Sequence, residues 1–370
     1  MNILIVAEDL LLDGVTRHMV DLANGLTEDG QSVFVAATPS KQKERLNPAV
    51  TFVPLHLCFP ESYTKNYLGV FKSIKVLVRT IKEKNIDIIH THKRYADMIG
   101  RIAARRTGIK HISTCHNEFR NYRWLSPFGD ITIAPSPEIA QMLMNKFDLD
   151  KESIKIVFNG IQPFKTYSAG LKNQYKKSLN IKNGIKVILS VGHMNKQKDR
   201  PTLIEAIHIL HMHGQFDKAV CLIVGEGEEY PLVQSLIRHY KLDAHIKLLP
   251  ALSDIEALNN IADFCVLSSI HEAAPHVILE AACLGKPHIA TSVGFIPSFM
   301  GNNEAGICVA PQSSRQLADA INLLLSDPKK TAELGEKAYE RFQQNYTYDK
   351  FIRNTLSVYE EVLSKKYLSL

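Results

Sequence analysis

The sequence predicts an α/β fold in which two parallel sheets, each covered by helices on both faces, flank a central cleft. Short apolar runs that are typical of buried parallel strands alternate with helical patterns along most of the chain. This alternation stops in a polar segment from Gln162 to Asn180 and then resumes, which indicates a domain boundary. A length of 370 residues also exceeds what one hydrophobic core usually supports. Such doubly wound sheets are Rossmann-like domains, and their ligands bind at the carboxyl ends of the strands.

The first domain is expected to span residues 1–165. Helices are expected between its strands, for example from Thr16 to Thr27 and from Tyr95 to Arg106. Apolar runs predict the strands Asn2 to Ala7, Ser32 to Ala37, Thr51 to Pro54, Asp87 to His90, His111 to Thr114, Ile131 to Ala134 and Lys155 to Val157.

The second domain is expected to span residues 166–345 and to repeat the pattern. Its predicted strands are Lys186 to Gly192, Ala219 to Gly225, His245 to Leu249, Ala262 to Leu267, Pro287 to Ala290 and Gly306 to Val309. Residues 346–370 are expected to form a helix that packs back across the domain junction, because they carry the apolar stripe Phe351, Leu356, Tyr359 and Leu363.

The composition indicates a protein of the cytoplasm that binds anions. The net charge is +6 and the isoelectric point is about 8.8, which suits anionic ligands or an anionic membrane surface. No zinc-finger, RNA-binding or long basic motif favours nucleic acid. The cysteines are scattered without a Cys-x-x-Cys pair and are expected to be reduced core residues. The first residues turn polar too early for a signal peptide, and no apolar run is long enough to span a membrane.

Two carboxylates stand out in the segment from Ser268 to Pro287. Glu272 is predicted on the loop after a buried strand, and Glu280 in the second turn of the following helix, whose first turn would hold Pro275. Free backbone N–H groups at the start of that helix are expected to favour a phosphate. A sugar nucleotide would supply hydroxyls for both carboxylates and an anion for the helix. The alternative is that Glu272 is solvated on the loop and that Glu280 lies on the helix surface.

Other motifs follow strands of either domain. Gly14 opens a strand-to-helix turn, although one glycine is a weak phosphate signal. Lys196, Lys198 and Arg200 concentrate positive charge behind the strand at 186–192, and the alternative is a solvated basic loop. The segment Val224 to Tyr230 has two glycines but is predicted to be a turn.

Two histidines, His90 and His92, alternate on one face at a strand end. They are expected to have structural or substrate-contact roles rather than to bind zinc, since no carboxylate or cysteine spacing completes a zinc site.

The order of these segments resembles the retaining nucleotide-sugar glycosyltransferases of family 4, which have the two-domain GT-B fold. The resemblance runs nearly end to end, through Gly14, Asp87 to His92, Ser113 to Asn117, Ala134 to Ser136, Val157 to Gly160, the loop from Gly192 to Lys198, the two glutamates and the final helix. Each match is short, but together and in order they are specific.

The resemblance implies roles for individual residues. It implies that Gly14 and Lys198 contact the donor diphosphate, that Glu280 binds the donor ribose, and that Glu272 meets the hydroxyls of the transferred sugar. His116 would lie beside that sugar. The segment expected to touch sugar and phosphate is Ala274, Pro275, His276 and Val277.

The chain departs from the family pattern at three of these positions. His193 stands where the family has an arginine on the diphosphate, and an imidazole lacks the arginine's fork of donors. Phe295 and Ser298 stand where the family often has a second glycine and then an acid. These departures indicate an unusual donor pocket or acceptor side.

The function implied is transfer of a hexose-type sugar from a nucleoside diphosphate sugar, UDP- rather than GDP-linked, to an acceptor hydroxyl with retention of configuration. His116, Glu272 and Lys198 are the catalytic candidates, and no metal or other cofactor is implied because Lys198, His193 and helix N–H groups would stabilise the leaving group. The acceptor is expected to belong to a bacterial surface polysaccharide or lipopolysaccharide. The alternatives are a sugar phosphorylase or nucleotide-sugar epimerase on the same fold, or a non-catalytic sugar-nucleotide-binding protein.

Acceptor recognition is expected in first-domain loops, from Cys58 to Gly69 and from Glu118 to Gly129. A neighbouring helix from Phe71 to Lys82 is amphipathic. Its apolar face is predicted to hold Phe71, Ile74, Leu77, Val78 and Ile81. Its basic face predicts peripheral contact with anionic lipid at the inner side of the cytoplasmic membrane, and the alternative is an ordinary surface helix. The basic residues are Lys72, Lys75, Arg79 and Lys82.

Overall fold

The computed structural model describes residues 1–10, 14–55, 67–116, 127–251 and 254–367. The chain divides into two compact units, one of Met1–Gly160 with Tyr348–Leu370 and one of Ile161–Thr347. The domain limits proposed from the sequence, at 165/166 and 345/346, stay predictions beside this division. The predicted acceptor loops fall largely outside the described residues.

The first unit is built on a parallel sheet of seven strands within the described residues, in the order β3-β2-β1-β4-β5-β6-β7. Its strands are β1 Asn2–Asp9, β2 Ser32–Thr38, β3 Thr51–Pro54, β4 Ile88–His92, β5 Lys110–Thr114, β6 Ile131–Ala134 and β7 Ile154–Ile156. The helices that follow these strands are α1 Gly14–Glu28, α2 Tyr67–Glu83, α3 Arg94–Thr107 and α4 Pro137–Phe147. Separate apolar layers cover the two faces of the sheet, as parallel sheets require.

The second unit repeats this architecture with a parallel sheet in the order β10-β9-β8-β11-β12-β13. The strands are β8 Lys186–Val191, β9 Ala219–Val224, β10 Ile246–Leu249, β11 Phe264–Leu267, β12 His288–Thr291 and β13 Gly306–Val309. The helices are α5 Ala169–Ser178, α6 Arg200–Met212, α7 Tyr230–His239, α8 Ile255–Ile261, α9 His276–Ala282, α10 Ile296–Met300, α11 Ser314–Ser326 and α12 Pro328–Asn345. The two-domain α/β fold predicted from the sequence is confirmed.

The C-terminal helix α13, Tyr348–Tyr367, belongs to the first unit. Its predicted apolar stripe is buried there, with Phe351 and Tyr359 at 3% and 0% exposure. The Tyr348 hydroxyl donates to the Asp21 carbonyl at 2.8 Å and ties α13 to α1.

The predicted strands are all found, with ends displaced by a few residues. The helix that carries Glu280 is shorter than its pattern indicates, because α9 begins at His276 and Pro275 lies before it as the N-cap residue. The cysteines at 115, 221, 265 and 283 are free and buried, as predicted, whereas Cys308 is partly exposed and Cys58 lies outside the described residues. No helix among the described residues is both long enough and apolar enough to cross a bilayer.

Candidate functional site

The two glutamates of the second unit are both buried. Glu272 lies on the loop between β11 and α9 and is 8% exposed, while Glu280 lies inside α9 and is 3% exposed. Neither is therefore the solvated residue of the alternative interpretation. Carboxylates are rarely buried this far unless hydrogen bonds or charges compensate for lost water.

For Glu272 the compensation comes from a lysine on the neighbouring loop. Lys198 Nζ lies 2.5 Å from Glu272 Oε1, and the same oxygen accepts a hydrogen bond from Ser269 Oγ at 2.6 Å. Because β8 and β11 are adjacent parallel strands, the loops that follow them meet at one edge of the sheet. The contact thus brings two sequence-predicted site residues together.

Backbone contacts hold the same two loops in register. The Ser268 hydroxyl donates to the Lys198 carbonyl at 2.9 Å, and the Ile270 N–H donates to the Gln197 carbonyl at 2.8 Å. The Lys198 to Glu272 pair is therefore placed by the backbone as well as by its own charge. Preorganised charge of this kind is what stabilises developing negative charge in a transition state.

Arg200 is fully buried, so the solvated-loop interpretation is wrong for this residue although Lys196 is exposed. Its guanidinium donates to Ser190 Oγ and, at 3.4 Å, to the Gly192 carbonyl. Burial lowers the pKa of Arg200 to about 10, and the nearby Glu272 carboxylate acts in the opposite direction. Arg200 remains a cation at neutral pH and adds positive charge beneath the loop that carries Lys198.

The turn after β9 supports this loop from the side. A Cβ on Gly225 would lie 2.1 Å from the Gly192 carbonyl oxygen, and a Cβ on Gly227 would lie 2.4 Å from the Met194 carbonyl oxygen. Both glycines have positive φ, near 150°. The Met194 N–H donates to the Glu226 carbonyl at 2.8 Å. The segment is a turn, as predicted, and its glycines permit close backbone packing behind the Lys198 loop.

The three departures from the family pattern lie in different environments. His193 is exposed, with Nε2 3.4 Å from an oxygen of the exposed Glu228. Phe295 is only 3% exposed and packs against the rings of Phe299 and Tyr346 at 5.9 and 5.6 Å between centroids. Ser298 is exposed. An aromatic core therefore holds the Phe295 side chain, and the unusual donor pocket or acceptor side stays a prediction.

The start of α9 lies close to the loop after β12. Residues 273–277, which include Ala274, Pro275, His276 and Val277, are half-buried. Gly294 has φ near 51°, and a Cβ there would lie 2.0 Å from the Glu272 carbonyl oxygen. Only glycine fits where the backbone at position 294 lies this close to the Glu272 carbonyl oxygen. Since α9 has only seven residues, its dipole offers an anion less than the sequence pattern indicates.

In the first unit, histidines meet at the carboxyl ends of three adjacent strands. His18 lies in α1 after β1, His92 ends β4, and His116 follows β5. His92 Nδ1 and His116 Nε2 are 2.9 Å apart, and the ring centroids of His18 and His116 are 4.6 Å apart. One nitrogen from each ring lies within 4.8 Å of the others. Sequence analysis missed His18, whose signal is its position one turn after Gly14 on the buried face of α1.

Burial favours the neutral forms of His18 and His92. It lowers the pKa of His18 to about 4, and together with the neighbouring imidazoles it lowers the pKa of His92 well below its ordinary value. His90 Nδ1 lies 2.6 Å from the Tyr359 hydroxyl of α13, and His90 Nε2 lies 2.7 Å from Thr114 Oγ1. The expected structural role of His90 is confirmed by these contacts, since both ring nitrogens have protein partners.

The basic residues of α2 are exposed as predicted: Lys72, Lys75, Arg79 and Lys82. Phe71 differs from its prediction. The pattern placed its ring on the buried face of the helix, but the side chain is 59% exposed. Gly14 is the first residue of α1, so the helix begins two residues before the predicted Thr16, while Leu11, Leu12 and Asp13 lie outside the described residues.

Comparisons with known proteins agree with this fold. Residues 172–341 match the family model described as glycosyl transferases group 1, and residues 12–163 match that of glycosyltransferase family 4. The UDP-Gal:alpha-D-GlcNAc-diphosphoundecaprenol alpha-1,3-galactosyltransferase of Escherichia coli is 30% identical over 272 residues, which cover 68% of this chain and 67% of that protein.

Solved structures show the same fold over the whole chain. A glycosyltransferase from Rickettsia africae has a TM-score of 0.86 at 23% identity and covers 98% of each chain. HepE from Anabaena, solved with UDP, has a TM-score of 0.83 at 19% identity and covers 98% of this chain and 100% of its own. A further crystal structure of HepE contains UDP-glucose. This chain belongs to the family 4 glycosyltransferases, which have the GT-B fold.

Proposed function

We propose that this glycosyltransferase moves a hexose-type sugar from a UDP-sugar to an acceptor hydroxyl, with retention of configuration and without a metal. The observation that carries the proposal is the contact between Lys198 and the buried Glu272, with Glu280 buried in the helix that follows. A cation and two carboxylates at one sheet edge match a diphosphate and two sets of hydroxyls.

Each group then has a separate task. Glu280 accepts hydrogen bonds from the ribose hydroxyls, and Glu272 accepts them from the sugar. Lys198 exchanges its contact with Glu272 for one with the diphosphate, whose negative charge grows as the glycosidic bond breaks. Arg200 strengthens the positive potential from below. His193 adds little to the charge, since it is exposed and lacks a guanidinium fork.

The first unit would supply His116. Its contact with His92 fixes the ring, and the neutral surroundings suit hydrogen bonding to a sugar better than binding of an anion. Gly14 and residues 274–277 are proposed to contact the donor through their backbone, as the resemblance implies. A general base is not assigned.

UDP is proposed as the donor nucleotide because the Escherichia coli relative is named for UDP-Gal and HepE was solved with UDP and UDP-glucose. The same relative is named for a diphosphoundecaprenol-linked acceptor. We therefore propose an acceptor of the bacterial surface polysaccharide or lipopolysaccharide class, glycosylated on the cytoplasmic side of the membrane.

Contact with that membrane is proposed through α2. Four exposed basic side chains on one helix, next to an exposed Phe71, offer charge to anionic lipid and a ring to the interface. Each basic residue near an anionic surface contributes about 1 kcal/mol at low salt.

The transfer reaction is tested by incubating the EDTA-treated protein with UDP-glucose, UDP-galactose or UDP-N-acetylglucosamine and a diphosphoundecaprenol-linked sugar. Product formation with an α-configured anomeric proton in NMR supports retention without a metal. A product that requires free phosphate, or one that forms without an acceptor, would instead indicate the phosphorylase or the epimerase. Inversion, or activity only with added Mg²⁺, contradicts the mechanism.

The donor nucleotide is tested separately by a thermal-shift panel of UDP-, GDP- and ADP-sugars on wild type and Glu280→Ala. UDP-sugars are expected to stabilise the wild type most, and the variant less. Absence of stabilisation of the wild type by any of these nucleotides would remove the donor-site assignment.

The membrane proposal is tested by sedimentation with anionic liposomes at low salt. Substitution of Lys72, Lys75, Arg79 and Lys82 by Ser is expected to weaken binding at least about tenfold. The matched control removes the same charge at four exposed lysines elsewhere in the chain, each replaced by Ser. These lysines are Lys165, Lys177, Lys241 and Lys329. Equal binding by the two variants contradicts a specific role for α2.

A further inference from the structure

We propose that the second unit carries a binding site for a transition metal ion of the Zn²⁺ class, formed by His211, Asp217 and His245. The site is distinct from the donor-binding residues. Lys198 and Glu272 follow the carboxyl ends of β8 and β11, whereas these three residues lie at the amino ends of β9 and β10.

The fold brings the three side chains together from two connections. His211 lies in the last turn of α6, Asp217 in the loop that leads into β9, and His245 directly before β10. Since β9 and β10 are adjacent parallel strands, their amino ends lie side by side, with Ile246 in register with Cys221. The Cys221 N–H donates to the His245 carbonyl at 2.8 Å and holds His245 beside the first half of β9.

The ligand atoms are already close. One atom from each side chain lies within 4.8 Å of the other two, and the ring centroids of His211 and His245 are 4.6 Å apart. Metal-to-ligand bonds of about 2 Å place coordinated nitrogens somewhat closer than this. Small rotations of two imidazoles and an exposed carboxylate are enough to close the difference.

The polar atoms have few other partners. His211 Nδ1 is buried and has no hydrogen-bond partner in the part of the chain that the structure describes. Asp217 is exposed and forms no ion pair with any described residue. A buried unpaired ring nitrogen is costly, and a metal ion would satisfy it.

Neighbouring histidines lie outside the three-residue set. His213 Nδ1 donates to the Ile209 carbonyl at 2.7 Å. His208 stacks on Tyr240 with ring centroids 4.2 Å apart, and its Nδ1 has no hydrogen-bond partner among the described residues. The ring centroids of Phe216 and His245 are 5.8 Å apart in an edge-to-face arrangement. His213 is therefore a matched control that is close in sequence to His211 but outside the set.

The donor set selects the class of metal. Two imidazoles and one carboxylate suit Zn²⁺ and also Ni²⁺ and Cu²⁺, of which Cu²⁺ generally binds such ligands most tightly. Mg²⁺ and Ca²⁺ prefer oxygen ligands throughout. Three protein ligands leave a position for water on the solvent side. Bound metal would link the connection before β9 to the connection before β10 and so stabilise this edge of the sheet.

The test is calorimetric titration of ZnCl₂ into protein that carries no affinity tag and has been dialysed against EDTA. Wild type is expected to bind one Zn²⁺ per chain at this site. His211→Ala and His245→Ala are expected to bind it at least about tenfold more weakly, and Asp217→Asn to show a smaller loss. His213→Ala should bind like wild type.

Two further measurements keep the outcome decisive. Circular dichroism of the metal-free variants shows whether each is folded, so that a folded His211→Ala without metal binding supports the site. When Co²⁺ is added in place of Zn²⁺, wild type should show the visible absorption of four-coordinate Co²⁺. This absorption should be absent in His245→Ala. Absence of Zn²⁺ binding by wild type overturns the proposal. Unchanged Zn²⁺ affinity in His211→Ala also overturns it, because the ion would then be bound elsewhere, for example at the imidazoles of the first unit. A loss of affinity in His213→Ala equal to that in His211→Ala overturns it as well.

Discussion

The carboxyl edges of the two sheets carry clusters of opposite electrical character. In the first unit His18, His92 and His116 form a cluster of imidazoles in which burial lowers the pKa of His18 and His92. In the second unit an ion pair joins Lys198 to Glu272, and the buried Arg200 beside them keeps its charge. The position in the fold is the same for both, so the difference comes from residue type.

Burial acts on both clusters in the same direction. It lowers the pKa of His18 from 6.5 to about 4 and that of Arg200 from 12.5 to about 10. The imidazole loses its charge at neutral pH, whereas the guanidinium starts so high that it keeps its charge. A buried histidine therefore supplies hydrogen bonds to neutral hydroxyls, and a buried arginine supplies a permanent field for an anion.

The largest effect is expected for Phe295→Ala. This variant tests whether the Phe295 side chain belongs to the hydrophobic core of the second unit or to the substrate pocket. If Phe295 belongs to the core of the second unit, the substitution lowers the free energy of unfolding by about 3–5 kcal/mol. Urea unfolding measures this loss. Ser298→Ala, at an exposed position, should change stability by less than about 0.5 kcal/mol. A stable Phe295→Ala with altered donor preference would return Phe295 to the substrate pocket.

The next effect tests the charge itself. Lys198→Met removes the cation while keeping the side chain's length, and kcat/KM for transfer should fall by about 10²–10³-fold, the usual cost of losing one electrostatic group at developing charge. Steady-state kinetics measure the change. Lys196→Met is the matched control on the same loop, because Lys196 is exposed, and equal losses in both variants would mean that only the net charge matters.

A smaller effect tests the neutral cluster. Between about pH 6.5 and 4 the folded protein holds His18 neutral while the unfolded chain protonates it, so the unfolded state binds more protons and stability falls as pH falls. The stability advantage of wild type over His18→Asn should shrink by about 2–3 kcal/mol from pH 7 to about pH 4.5.

Urea unfolding of both proteins at the two pH values checks this prediction. The difference between the proteins separates His18 from Asp97, whose pKa burial raises and which acts in the opposite direction. A constant difference across the range would show that His18 is protonated as readily in the folded state as in the unfolded chain, which contradicts the prediction.

Sequence reasoning found most of the fold, because buried parallel strands such as β9 are continuous apolar runs that turns interrupt. It also selected Glu272 and Lys198, which motifs identify. It could not show that these two residues are in contact, because the contact depends on the adjacency of β8 and β11.

The sequence leaves the burial of Arg200 and of Phe295 open for a similar reason. Arg200 follows two lysines in a polar segment and has the pattern of a solvated residue, yet Ser190 and the Gly192 carbonyl hold it inside. Phe295 aligns with a site position, but the direction of its side chain is set by the rings of Phe299 and Tyr346. A sequence pattern gives the position of a residue, whereas side-chain direction follows from tertiary packing.

The division of tasks between the two buried carboxylates is tested most directly by calorimetric titration of UDP and of UDP-glucose into wild type, Glu280→Gln and Glu272→Gln. Glu280→Gln is expected to weaken binding of both ligands by about 10- to 150-fold, the loss of hydrogen bonds to a charged group. Glu272→Gln is expected to weaken UDP-glucose binding while UDP binds as well as before or more tightly, since Lys198 is released. Unchanged UDP binding in Glu280→Gln, or equal losses for both ligands in Glu272→Gln, would contradict the assignment.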